Sequence, residues 1–178
     1  MVPLHVLWQQ KYNMSNLLIR PAIKADLASI NDIYNHYVQH THITFDIEPW
    51  SAKKRLAWFA QFSGTRYQLW VATVDGKVQA FAYTGQFRAK AAYDSSAEVT
   101  VYGHHQLQSK GVGTALYDKL LTNLAEAGLH RLYAVIALPN DVSVGLHKKL
   151  GFEQVGLLNE VGSKFGKKIS VAMLEKRL

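Results

Sequence analysis

Gln108-Ser109-Lys110-Gly111-Val112-Gly113-Thr114 places two glycines one residue apart, just ahead of Leu116, Leu120, Leu121 and Leu124 at helical spacing. A turn of this kind aims several backbone N–H groups at one point, at the positive end of a helix. Its chemistry is the binding of a phosphate or pyrophosphate. No Lys-Ser/Thr pair follows the glycines, so this is not a nucleoside triphosphate loop. Glu98 stands ten residues upstream on an alternating stretch, and reads either as a general base or as an ordinary strand glutamate. Arg88 and Lys90 are separated by one residue, and on an extended segment they point the same way. With Tyr93 they suit an anionic head, or else they belong to a solvated basic loop. Asn140 precedes a helix and either caps it or contacts a ligand. His147, within that helix, can exchange a proton near neutral pH, or is simply an exposed helix residue. Tyr102 is a second possible proton donor, or packed core.

Eleven elements must position these groups. Leu17 to Arg20 is an apolar run stopped by Pro21, a first strand. Leu27, Ile30, Ile33, Tyr34, Tyr37 and Val38 share one face of a helix over 26–40. Residues 41–49 form a loop carrying Phe45, and Ser51 caps a second helix. Two strands, 68–74 and 77–83, flank the hairpin turn Asp75-Gly76. A polar stretch, 86–96, leads to a strand at 97–102, then the glycine turn and a helix over 112–127 that Gly128 ends. Arg131 to Ala137 is a strand of the buried kind. A helix from Asn140 to Leu150 follows, then two strands, 152–158 and 169–175, paired antiparallel. The order β-α-α-β-β-β-α-β-α-β-β predicts a single mixed α/β domain. Its sheet is mostly antiparallel and flanked by about four helices.

The chain has 178 residues, 48% of them hydrophobic, enough for one domain with a sizeable core. Residues 1–13 read as an N-terminal extension, with the domain over 14–178. There is no cysteine, which excludes disulfides, thiolate metal sites and a cysteine nucleophile. The histidines lack acidic partners at ligand spacing, so no metal is expected. A net charge of +7 attracts anionic ligands. The basic residues are scattered, without an aromatic-basic platform, so nucleic acid is not an expected partner. No stretch approaches membrane-spanning length. No signal peptide is evident, which points to the cytoplasm.

The element order, the Gln108 to Gly113 loop between a strand and a helix, Asn140 after the next strand, and Leu150-Gly151-Phe152 together resemble the GNAT acetyltransferase superfamily. A narrower resemblance runs from about Leu18 to Leu178. Ile33 to Val38, Thr44-Phe45, Glu48-Pro49, Phe87 to Tyr93, Ala97 to Tyr102, Val135 to Asn140 and Leu146 to Phe152 are similar to the phosphinothricin acetyltransferase group. That group also holds methionine sulfone and methionine sulfoximine acetyltransferases.

The resemblance implies acetylation, by acetyl-CoA, of the α-amino group of small amino acids whose side chains end in a tetrahedral, oxygen-rich head. It implies direct transfer in a ternary complex with Glu98 as base. Val101, Tyr102 and Gly103 would pair with the pantetheine arm. Ser109, Lys110, Gly111, Val112, Gly113 and Thr114 would hold the pyrophosphate, with Asn140 a further cofactor contact. Ser109 departs from a frequent glycine, and Thr114 adds a hydroxyl. The substrate site would comprise Phe45, Arg88, Ala89, Lys90, Tyr93, Glu98, Val99, Thr100 and His147. The Arg-x-Lys order differs from the group's commoner pairs. His147 would act on the thiolate or bind the substrate head. A homodimer is expected from the same resemblance. Acetylation of a protein amine, or a catalytically idle acetyl-CoA-binding domain, are the competing functions.

Overall fold

The computed structural model describes residues 16–64, 66–107, 111–124 and 127–178; the expected extension lies outside them. The strands are β1 (Leu17–Pro21), β2 (Leu69–Val74), β3 (Lys77–Gln86), β4 (Ser96–Gly103), β5 (Arg131–Ala137), β6 (Glu153–Lys164) and β7 (Lys167–Arg177). The α-helices are α1 (Leu27–His40), α2 (Ala52–Phe59), α3 (Val112–Leu124) and α4 (Asp141–Lys149). They follow the expected order and form one sheet, arranged β1-β2-β3-β4-β5-β7-β6. Every neighbouring pair is antiparallel except β4 and β5.

Local chemistry accounts for the elements. Asp75 and Gly76 both take positive φ, 50° and 75°, as a two-residue hairpin turn between β2 and β3 requires. The Ser51 hydroxyl accepts from the Lys54 N–H at 3.2 Å and caps α2. Helix α3 buries Val112, Ala115, Leu116, Tyr117, Leu120, Leu121 and Leu124. That stripe packs on Ala80, Ala82, Ala97, Val99, Leu132, Ala134 and Leu174 of the sheet. The opposite sheet face takes Leu27, Ile30, Ile33, Tyr34 and Val38 of α1 against Leu69, Val71 and Phe81.

Three elements differ from expectation. Strand β5 is buried on one side only, with Val135 exposed, because a cleft opens beside it. Strand β6 runs on to Lys164, with an irregularity in its pairing to β7 between Leu158 and Gly162. The Arg88–Lys90 segment belongs to no strand: it follows the end of β3 and leads, from an extended Lys90, into a short 3-10 turn at Ala91–Tyr93.

Arg20 pairs with Asp26 through two contacts, at 2.6 and 2.9 Å, and the Ile23 N–H donates to the same carboxylate at 2.8 Å. Burial pushes the Asp26 carboxyl up, but Arg20 and the Ile23 N–H outweigh it and hold it below its ordinary value. A carboxyl depressed on folding stabilises above its unfolded pKa and loses that contribution as pH falls through the folded value. Asp26→Asn should therefore lower unfolding free energy at pH 7 by about 2 kcal/mol. The deficit should shrink toward pH 3 in urea titrations.

Candidate active site

Strands β4 and β5 pair at only Ser96↔Arg131, Ala97↔Leu132 and Glu98↔Tyr133. Beyond Glu98 they splay apart. Strand β4 stays bound to β3 as far as Gly103, and β5 to β7 as far as Ala137. The gap between them is a cleft of about 670 Å³. Val99, Thr100, Val101, Tyr102 and Gly103 line one wall; Ala134, Val135, Ile136 and Ala137 line the other. Gly111, Gly113 and Thr114 of the α3 start close one end, and Asn140, Ser143 and His147 border it from α4.

Gly111 has φ +97°, a conformation that favours glycine. At Gly113 an added Cβ would meet nothing within 4 Å, so the backbone there is open to close approach. Val112 turns its side chain into the core and contributes only backbone. Ser109 and Lys110 lie outside the described residues. Asn140 caps α4 and also borders the cleft. Its Oδ1 accepts from the Ser143 N–H at 3.1 Å. A phosphate-bearing chain laid along an opened strand and ending at a helix start fits this donor set.

Glu98 stands at the apex of the splay, one residue before the lining Val99. Burial pushes its carboxyl above the ordinary value, and the Arg88 guanidinium pulls it partly back. His147, 3% exposed, has both ring nitrogens engaged. The Ser143 carbonyl, 2.8 Å from Nδ1, can only accept, so Nδ1 carries the proton. Nε2 then accepts from the Tyr117 hydroxyl at 2.9 Å. In this tautomer Nε2 is not a proton donor. Burial holds the ring below its ordinary pKa, with the Ser143 carbonyl opposing. Tyr102 packs edge-on against Tyr34, tilted against Tyr37 and stacked on Phe81, and also lines the cleft.

The remaining expected substrate residues are not cleft-lining. Arg88, Ala89, Lys90 and Tyr93 form an exposed loop after β3. It is tied to the site by the proximity of Arg88 to Glu98. Phe45 lies two residues beyond the lining Ile43. His36 stacks on His105 at 3.8 Å and His105 on His104 at 4.5 Å, while His40 packs tilted against His36.

Tyr117 and Tyr37 were not singled out from sequence. Tyr37 donates to the Gly103 carbonyl at 2.7 Å and ties α1 to the end of β4. A tyrosine on a helix's buried stripe was the available signal, since a buried hydroxyl demands a partner.

An open parallel seam over a glycine-bearing helix start defines a protein built to hold an extended, phosphate-bearing ligand beside a desolvated carboxylate. Residues 19–173 match the acetyltransferase (GNAT) domain family. Phosphinothricin N-acetyltransferase of Streptomyces coelicolor is 42% identical over 90% of this chain and 95% of its own. L-methionine sulfoximine/L-methionine sulfone acetyltransferase of Salmonella typhimurium is 33% identical, over 91% and 95%. A GNAT superfamily phosphinothricin acetyltransferase of Sinorhizobium meliloti, solved in complex with AcCoA, superposes with TM-score 0.87 at 32% identity, covering 92% of this chain and 89% of that one. The chain belongs to the GNAT acetyltransferase family.

The His147 pair can be tested directly. Tyr117→Phe leaves a buried Nε2 without its donor and should cost about 1–2 kcal/mol of stability. It should also raise the His147 pKa in an NMR titration, because the lost bond favoured the neutral ring. A ring buried neutral binds fewer protons than the unfolded chain, so wild-type stability should decline as pH falls below about 6.5.

Proposed function

We propose that the chain transfers the acetyl group of acetyl-CoA to the α-amino group of small amino acids such as L-phosphinothricin, methionine sulfoximine and methionine sulfone. The observation that carries the reading is Glu98 at the apex of the splayed strands, desolvated, with Arg88 beside it. Acetyl-CoA supplies the activated acetyl thioester. Val101, Tyr102 and Gly103 offer backbone along the opened strand, and Gly111, Gly113 and Thr114 offer N–H groups at the α3 start. Asn140 borders the same cleft.

The acceptor amine is mostly protonated at neutral pH and must lose a proton to attack. Glu98 takes that proton, directly or through a water, and its raised pKa makes it a stronger base than an ordinary carboxylate. Arg88 and Lys90 attract the acceptor's carboxylate or oxygen-rich head. These exposed cations disfavour a lysine-bearing protein acceptor. His147, held by Ser143 and Tyr117, presents a neutral ring to the cleft and orients the acceptor.

Glu98→Gln should reduce kcat about 10²–10⁴-fold while acetyl-CoA binding, read by calorimetry, is retained. Wild-type kcat/KM should fall on the acid side with an apparent pKa above the ordinary glutamate value of about 4.3. Thiol release should be measured across the three amino-acid analogues, ordinary amino acids and a lysine peptide. Turnover with the peptide alone would overturn the substrate assignment.

The chain also acts as a homodimer in this reading. Strand β6 is a sheet edge, and its Val155, Leu157, Leu158 and Val161 are exposed on both faces. A long apolar edge of this kind favours pairing with a second copy about a two-fold axis. Val155→Lys with Leu157→Lys should shift the sedimentation coefficient from dimer to monomer.

A further inference from the structure

The bend in β6 aims the tip of the β6–β7 hairpin at the loop between α1 and α2. Leu158 pairs with Val171 and Gly162 with Ile169, so residues 159–161 oppose Ser170 alone. Glu160 sits there at φ +52°, and its N–H donates to the Ser170 hydroxyl at 3.0 Å. Such a bulge bends a strand and re-aims the residues beyond it.

Two contacts result. An added Cβ at Gly162 would lie 2.3 and 2.4 Å from the Cε2 and Cζ atoms of Phe45. The ring is therefore pressed against bare backbone, and no other residue type fits unless Phe45 moves. Lys164, only 4% exposed, donates from Nζ to the Thr44 carbonyl at 2.8 Å. A buried ammonium is costly unless it is hydrogen-bonded. This one spends its donor on the residue beside Phe45.

The other side of the loop is fixed as well. The Tyr34 and Thr44 hydroxyls are hydrogen-bonded at 2.9 Å, and Tyr34 donates to Asp46. The Trp50 indole N–H donates to Asp46 at 2.7 Å. Ile43, two residues before Phe45, lines the cleft, so this loop reaches the site.

We propose that Gly162 and Lys164 are positioning residues that hold the Phe45 ring as a wall of the acceptor pocket, and so set which amino-acid side chains are accepted. The inference rests on the acceptor site proposed above. Gly162→Ala displaces the ring and alters acceptor binding, while the three atoms nearest the added Cβ all belong to Phe45, none to the strand proposed to take acetyl-CoA. Lys164→Met releases Thr44 with the same consequence, and Lys164→Arg restores it in part.

The test is a double-mutant cycle on acceptor KM, using Phe45→Ala, Gly162→Ala and the pair, with L-phosphinothricin and methionine sulfone as acceptors. Gly162→Ala should raise acceptor KM at least tenfold with kcat and acetyl-CoA affinity within threefold. In the Phe45→Ala background the same change should have less than a twofold effect, because the ring it acts through is gone. An acceptor KM within twofold of wild type in Gly162→Ala, or equal effects in both backgrounds, overturns the proposal. If Gly162→Ala does not fold, Lys164→Met decides. Acceptor KM unchanged in that variant, with acetyl-CoA binding intact, overturns it equally. Wild-type turnover of the amino-acid panel tests the substrate reading separately. An active wild type with an uncoupled cycle defeats this inference alone.

Discussion

The molecule depends on a seam that is closed at one end and open at the other. Strands β4 and β5 share three residue pairs, whereas each keeps seven with its outer neighbour. Each strand is anchored on its far side, so the two can diverge without either unravelling. The consequence is backbone on the inner edges of both strands that no strand covers. Such groups demand partners, and an extended ligand with amide groups can supply them as another strand would. The same divergence opens the space that α3 points into. One topological choice thus creates the cleft, exposes its hydrogen-bonding wall and places a helix dipole at its end.

Electrostatics at the apex follow from the same geometry. Glu98 is pushed up and His147 pulled down, so burial moves both toward their neutral forms. The cleft lining is mainly apolar, while Arg88 and Lys90 stand exposed on the loop after β3. The Arg88 guanidinium partly offsets the burial that raises the Glu98 carboxyl. His147 keeps a single tautomer because a carbonyl occupies Nδ1 and a hydroxyl occupies Nε2. Its ring is thereby fixed in shape and orientation.

Periodicity in the sequence was enough to read the elements. The helical stripes of α1 and α3, the Asp75-Gly76 turn and the Ser51 cap all depend on residues within a few positions of one another, and all appear in the structure. The glycine turn and Asn140 were legible for the same reason, and the cleft brings Gly111, Gly113, Thr114 and Asn140 together with Val101 to Gly103. What stayed hidden depends on distant partners. Nothing local marks the point where β4 leaves β5. Tyr117 meets His147 across thirty residues and Lys164 meets Thr44 across 120. The 88–90 pair lies outside any strand, between β3 and a 3-10 turn, so its two-residue spacing alone does not fix where the two cations point. Lys164 turns inward beyond the bulge at 159–161, which no local pattern in the sequence marks.

The loop between α1 and α2 shows how a site-bearing segment can lack regular structure and still be held in place. The Asn35 side chain accepts from the Trp50 N–H at 2.8 Å and donates to its carbonyl at 3.0 Å, in the manner of a strand neighbour. Arg55, buried, lies over Trp50, Trp58 and Tyr34 at 4.2, 4.6 and 4.8 Å, and its Nε donates to Asn31 at 3.1 Å. Burial pulls its pKa down to about 10, so it remains a cation at neutral pH. Among the described residues its Nη2 has no hydrogen-bond partner. Ring faces rather than a carboxylate therefore balance the charge. An ion pair there would fix the guanidinium by one acceptor. A cage of three rings fixes it by shape, and through Trp50 that shape is passed to Asp46, Thr44 and Phe45. The loop inherits its order from α1, α2 and the β6–β7 hairpin together, through side chains that do not themselves line the cleft.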